Sequence, residues 1–150
     1  MNKMDRVLEK MANEPNYHVF AHNGLICEIV RHPKHGHYCG YVLVPKDHPS
    51  YGKGYNYITD IDVHGGLTYA DNRGDYWALG FDCSHGGDFN IPPDKTLREV
   101  YNKVYGTLRD GEYRDFEYVK GECKILADGL TGGKIDDVEA VIAKMILARE

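Results

Sequence analysis

The chain has 150 residues, 42% of them hydrophobic and 27% charged, with a net charge of −5 at neutral pH. That length suits one domain with a real hydrophobic core, and the acidic balance argues against an extended nucleic-acid partner, which needs clustered Lys and Arg. No apolar run approaches the ~20 residues of a membrane span. The opening MNKMDRVLEK lacks a signal-peptide h-region, and the four cysteines form no CxxC pair, so reduced thiols in a cytoplasmic protein are expected.

In chain order, Asp5 to Met11 carries a short amphipathic pattern that Pro15 closes. Tyr17 to Ala21 alternates as a strand, Asn23-Gly24 signals a two-residue hairpin, and Leu25 to Arg31 reads as the return strand. A turn over Pro33–Gly36 leads into a third strand from Tyr38 to Val44. Pro45 to Tyr57 has no apolar periodicity and is long for a loop, and long loops in compact domains are often functional. Thr96-x-x-Glu99 has capping-box spacing, with Leu97, Val100, Tyr101, Val104 and Tyr105 at helical intervals up to Gly106. A second stripe (Phe116, Val119, Cys123, Leu126, Ala127, Leu130) follows Asp115 as a cap, and a third (Val138, Val141, Ile142, Met145, Ile146) follows Asp136 or Asp137. Strands first and helices after predict an α+β domain over 1–150: a meander of about five antiparallel strands, with C-terminal helices packed on one face.

The organising stretch is Ile61 to Asp88, expected as two strands about a turn centred near Arg73. Ile61, Val63, Leu67, Tyr69, Trp77, Leu79, Phe81 and Cys83 share one parity, the expected core face. The other parity is small or polar, and the symmetric register sets His64 opposite Asp82, Gly66 opposite Gly80 and Thr68 opposite Ala78. Glycine inside a strand marks close approach of a ligand or of another part of the chain. If the Pro45–Tyr57 loop covers that face, Tyr51, Tyr55, Tyr57 and Trp77 would rim it, as aromatic groups rim many ligand pockets. The candidate ligand contacts are therefore His64, Gly65, Gly66, Thr68, Asp82, His85 and Asp88, with Tyr51, Lys53 and Tyr55 from the loop.

Other constellations are weaker. Asp60, Asp62 and His64 could hold a divalent cation with Asp82 as a further ligand, although an acidic strand end in solvent explains them as well. Cys83 beside His85 could be a nucleophile pair or half of a zinc site, but its parity with Trp77, Leu79 and Phe81 favours a buried structural thiol. The run His32, His35, His37 reads as a His-rich surface turn rather than a transition-metal site. Thr131-Gly132-Gly133-Lys134 fails as a Walker loop, because Asp128 and Ile135 stand where Gly and Ser/Thr are needed, and reads as a helix-to-helix turn. No cofactor or catalytic residue is assigned.

The strings GYVLVPKDHPSYGK, IDVHGGLTYA, WALGFDCSHGGD and YRDFEYVKGECKILADGL resemble a family of small phage- and prophage-encoded proteins with HGGLTY-like and GFDC-x-H-x-GD-like motifs. The resemblance runs roughly from Cys39 to Leu130 and implies a viral or mobile-element origin, with the host cytoplasm as the place of action, rather than a reaction. Three function classes follow. The first is a protein that binds a small polar or nucleotide-like ligand, sequestering a host immune signal. The second is a hydrolase of a phosphate-containing small molecule that uses His64 with Asp60, Asp62 or Asp82, with or without a metal. The third is a protein–protein inhibitor of a host factor. Self-association into a homo-oligomer is compatible with each.

Overall fold

Asn23 and Gly24 both take positive φ, 53° and 77°, which gives a hairpin turn whose twist matches that of the paired strands. They join β1 (Tyr17–His22) to β2 (Leu25–Arg31), and β3 (Tyr38–Pro45) adds to the other edge of β2. The computed structural model describes residues 1–105 and 110–150, so the expected helix end at Gly106 lies outside the described residues. β5 (Tyr76–Asp82) pairs with β3, and β4 (Tyr69–Arg73) pairs only with β5. The result is a five-stranded antiparallel sheet of order β1-β2-β3-β5-β4. α1 (Lys3–Ala12) precedes it, and α2 (Lys95–Tyr105), α3 (Phe116–Gly129) and α4 (Val138–Ala148) follow. The fold is α+β, as the two periodicities predict.

The simple meander is corrected at one step. β5 rather than β4 sits beside β3, because Ala-Leu-Gly-Phe suits a strand with neighbours on both sides, whereas Tyr-Ala-Asp-Asn-Arg suits an edge. The organising hairpin is also shorter than expected. Its loop is Gly74-Asp75, and Tyr69 rather than Gly66 faces Gly80. That slip of three residues is odd, so it exchanges faces on the first strand: Tyr69 leaves the Leu79 side and Ala70 joins it. Ile61 to Thr68 is not a strand, because Gly65 and Gly66 both take positive φ (68° and 77°) in a turn.

Burial alternates along the sheet and gives it two covered faces. Leu25, Cys27, Ile29, Val42, Val44, Leu79 and Phe81 pack beneath Val119, Cys123, Leu126 and Ala127 of α3. Val19, Ile26, Leu43 and Ala78 face Ile135 and Val138, Val141, Ile142 and Met145 of α4. The C-terminal helices therefore divide between the faces instead of sharing one, since α3 and α4 each carry an apolar stripe and the turn from Thr131 to Lys134 carries the chain around the sheet. Burying each large aliphatic side chain contributes about 1.5–3 kcal/mol, enough for both faces to hold a helix.

Helix starts follow local chemistry. Asp115 accepts the Tyr118 N–H at 2.8 Å and Asp137 accepts the Ala140 N–H at 3.3 Å, as expected of caps. α2 is capped by Asp94, which accepts the Leu97 N–H at 2.8 Å, rather than by the capping box read at Thr96. A buried Arg31 ties the N-terminal segment to the sheet, donating to Asn16, the Gly36 carbonyl and the hydroxyls of Tyr38 and Tyr113.

All four cysteines are free, and Cys83 is 1% exposed with its thiol pushed up in pKa by burial. Burial pushes the Cys27 thiol up to about 12 as well. A thiol reagent at neutral pH should label neither residue in the folded protein and both after denaturation. Stoichiometric labelling of native Cys83 would contradict this placement.

Candidate functional site

Asp88 anchors most of the residues singled out in the organising stretch. Its side chain is 1% exposed and accepts three groups: His64 Nε2 at 2.9 Å to both oxygens, Arg114 Nε at 2.9 Å and the His85 N–H at 3.0 Å. Burial alone would raise the Asp88 pKa, but the hydrogen bonds from His64, the His85 N–H and Arg114 outweigh it and hold the carboxyl below its ordinary range. His64, 12% exposed at its side chain, meets the Tyr118 hydroxyl through Nδ1 at 2.8 Å, and its N–H donates to Glu122 at 2.9 Å. Tyr118, His64 and Asp88 thus form a chain of hydrogen bonds from a partly exposed phenol to a buried carboxylate.

Asp82 belongs to a second, neighbouring pair. It accepts the Thr68 hydroxyl at 2.9 Å and the Ser84 N–H at 3.0 Å, and lies 3.2 Å from His85 Nε2. The His64 and His85 rings stand 6.1 Å apart, edge to face. Gly65 makes room for this: a Cβ there would lie 2.4 Å from the His85 ring. The expected side-by-side placement of His64 and Asp82 is therefore corrected. His64 pairs with Asp88 instead, and His85 lies beside Asp82, because the His64 segment is a turn and not a strand.

Of the predicted contacts, His64, Gly65, Thr68, Asp82, His85 and Asp88 come together, with Gly66 in the same turn. Tyr51, Lys53 and Tyr55 do not join them. Trp77, at the far end of β5 from Asp82, receives the loop instead: its Nε1 donates to the Lys53 carbonyl at 2.9 Å and its ring lies 5.9 Å from Tyr51. Tyr55 and Tyr57 are exposed and rim nothing on the small-residue face. Asp60 and Asp62 are exposed, and among the described residues no group of three His, Cys, Asp or Glu side chains is arranged to hold a metal ion. The His32, His35 and His37 rings lie with centroids 4.6–6.1 Å apart, two of the pairs stacked and one tilted, and His32 Nδ1 accepts the Lys34 and His35 N–H groups rather than facing the other rings. His37 is buried there, not part of a surface turn.

The face carrying Ala78 and Gly80 holds a cleft that the sequence reading missed. The space left by Gly80 is filled by the Tyr41 ring, whose Cδ1 would lie 2.4 Å from a Cβ at that glycine. Beyond it, between α4, the sheet and the β4–β5 turn, opens a cavity of about 560 Å³. Tyr17, Leu43, Tyr76, Val141 and Met145 supply its apolar lining, and Arg73, Lys144 and Arg149 its cations. Glu28, 5% exposed, closes one wall, accepting from Arg73 Nη1 at 3.0 Å and from the Tyr17 hydroxyl at 2.8 Å. Asp75 is offset by Lys46 at 3.7 Å. Among the described residues Lys144 and Arg149 form no ion pair, and the Arg149 guanidinium stacks over Tyr17 at 3.8 Å.

Signals for the missed residues were present. Tyr118 and Glu122 lie four apart, on one helix face, and Glu28 interrupts an otherwise apolar strand, LICEIV. Comparison with family models, with curated proteins and with solved structures gives no match.

Proposed function

We propose that the chain binds a small anionic ligand bearing a flat ring, of the nucleotide type, in the cleft beneath α4, and does not turn it over. The observation that carries this is the cleft itself. On a chain of net charge −5, two cations with no ion pair among the described residues, Lys144 and Arg149, face a cavity walled by tyrosines and a methionine. A cavity of about 560 Å³ is in the range of small-molecule sites, and Tyr17 and Tyr76 offer ring surface while Lys144 and Arg149 offer charge to a phosphate. The resemblance to phage-encoded proteins suggests a setting in which the ligand is a host signalling nucleotide held out of circulation in the cytoplasm.

Lys144 and Arg149 are exposed, so alanine at both should leave the thermal midpoint within a few degrees while weakening mononucleotide binding about tenfold or more by titration calorimetry. Undiminished binding in that double variant would move the site elsewhere. Native mass spectrometry of protein purified from its host would show a co-purified ligand and the subunit count together, and a pull-down from host lysate would expose direct inhibition of a protein.

A hydrolase reading has one observation behind it, the ordered Tyr118–His64–Asp88 chain. Both His64 nitrogens are engaged within it, so a proton could reach a substrate only through the Tyr118 hydroxyl. Burial raises the pKa of that phenol, which disfavours it as a nucleophile. Phosphate release that persists in chelator and vanishes in Tyr118→Phe would establish turnover.

A further inference from the structure

We infer that Glu28 makes the α4 cleft selective for a ring that presents two adjacent N–H donors, the edge of guanine, so that the ligand class is a guanine nucleotide. This rests on the cleft being the binding site.

Glu28 sits mid-strand on the face that α4 covers, between Val19 of β1 and Tyr41 of β3, with its side chain only 7% exposed. Taking a carboxylate out of water costs several kcal/mol before any pairing. Arg73 offsets that charge, yet well-packed apolar residues in place of a buried ion pair are often neutral or stabilising. Stability alone therefore does not account for an acid here.

Its hydrogen bonds leave room for another partner. One oxygen takes Arg73 and the other takes the Tyr17 hydroxyl, whereas a carboxylate offers about four lone-pair sites. The remaining sites belong to a group that lines the cavity, where a ligand ring lodged by Tyr17 and Tyr76 would bring its polar edge. Guanine's Watson–Crick edge carries an imino N–H beside an amino N–H, and both can donate to one carboxylate. Adenine sets a ring-nitrogen lone pair beside its amino group, and that lone pair would face the carboxylate repulsively. Hypoxanthine keeps the imino N–H and lacks the amino group. The chemistry ranks the three bases, with the phosphate held by Lys144 and Arg149 in each.

The probes are GMP, IMP and AMP, titrated calorimetrically into the wild-type protein at one ionic strength. GMP should bind at least about tenfold tighter than AMP, with IMP between them. Glu28→Gln replaces two acceptors with one acceptor and one donor, the complement of adenine, so GMP should weaken while AMP holds or tightens. Because glutamine could unsettle Arg73, the comparison on wild-type protein stands without the variant. GMP and AMP binding within twofold of each other would overturn the selectivity and leave the cleft as a nucleotide site. No binding of any of the three would overturn the cleft reading, and this inference with it.

Discussion

Replacing Asp88 with alanine should remove about 3–5 kcal/mol of folding stability, the cost of deleting one member of a buried ion pair. The side chain is 1% exposed and holds three segments at once: the 64–66 turn through His64, the 84–88 turn through the His85 N–H, and the approach to α3 through Arg114. Without it, the Arg114 guanidinium retains Glu112 at 3.1 Å and the Tyr118 ring at 5.2 Å, and His64 retains Tyr118, the His85 ring and the backbone contact to Glu122. Asp88→Asn should be milder, since an amide oxygen can still accept one of the three donors. The sign with pH follows from the depressed carboxyl. The stability it contributes is present above its ordinary value of 3.8 and is lost as pH falls below that toward the folded value. Urea melts of wild type and both variants at neutral pH decide the matter. A midpoint in Asp88→Ala within experimental error of wild type would show that the cluster is ornamental to folding and free for other work.

The sequence alone sets His64 on the small, polar face of a strand opposite Asp82, whereas the structure ties it to the buried Asp88. The difference lies in how strands and turns are distinguished. Period-two alternation across Ile61 to Thr68 is real, and Val63 is 4% exposed, as its parity predicts. Paired glycines at 65 and 66 override the pattern, because two successive positive φ values cannot continue a strand. Alternation could identify the buried residues there; it could not identify the partners of the polar ones. Where one residue's neighbours fix the geometry, as at Asn23-Gly24 or Asp115, the element and its start were legible.

The helix faces show a second limit. Each apolar stripe on α3 and α4 was readable from spacing, and each does pack on the sheet. Which face each covers depends on the path of the connection between them, and spacing within a helix carries no information about that path. The cleft follows from the same unknown, since it exists only because α4 crosses the face holding Glu28. A glutamate amid Leu-Ile-Cys and Ile-Val is the residue that could have pointed there. Its partner Arg73 is 45 positions away, on an edge strand whose register was not fixed by its own alternation.

Acid should destabilise the protein well above the range in which Asp88 titrates, and His37 is the residue expected to do it. Its ring is buried, 6% exposed, with an Nδ1 that has no hydrogen-bond partner among the described residues. Burial, reinforced by neighbouring His32 and His35, lowers its pKa from 6.5 to about 4, against a smaller opposing pull from Asp82 and Asp88. A neutral folded histidine and an unfolded one that protonates near 6.5 mean that the unfolded state binds more protons throughout that window. Stability is therefore full above about pH 6.5, declines as pH falls, and levels off below about pH 4, by about 3 kcal/mol in all. His32, lowered mainly by its own burial, adds in the same direction. His37→Phe keeps a flat ring in the stack, removes the unpartnered nitrogen and cannot be protonated. Its unfolding free energy, measured in urea from pH 7.5 to 4, should lose most of the acid slope, leaving the smaller shares from His32 and His18, whose pKa burial also lowers. A slope equal to that of wild type would mean that His37 is hydrated or charged in the folded protein, and that the stack of imidazoles tolerates a proton its burial should exclude.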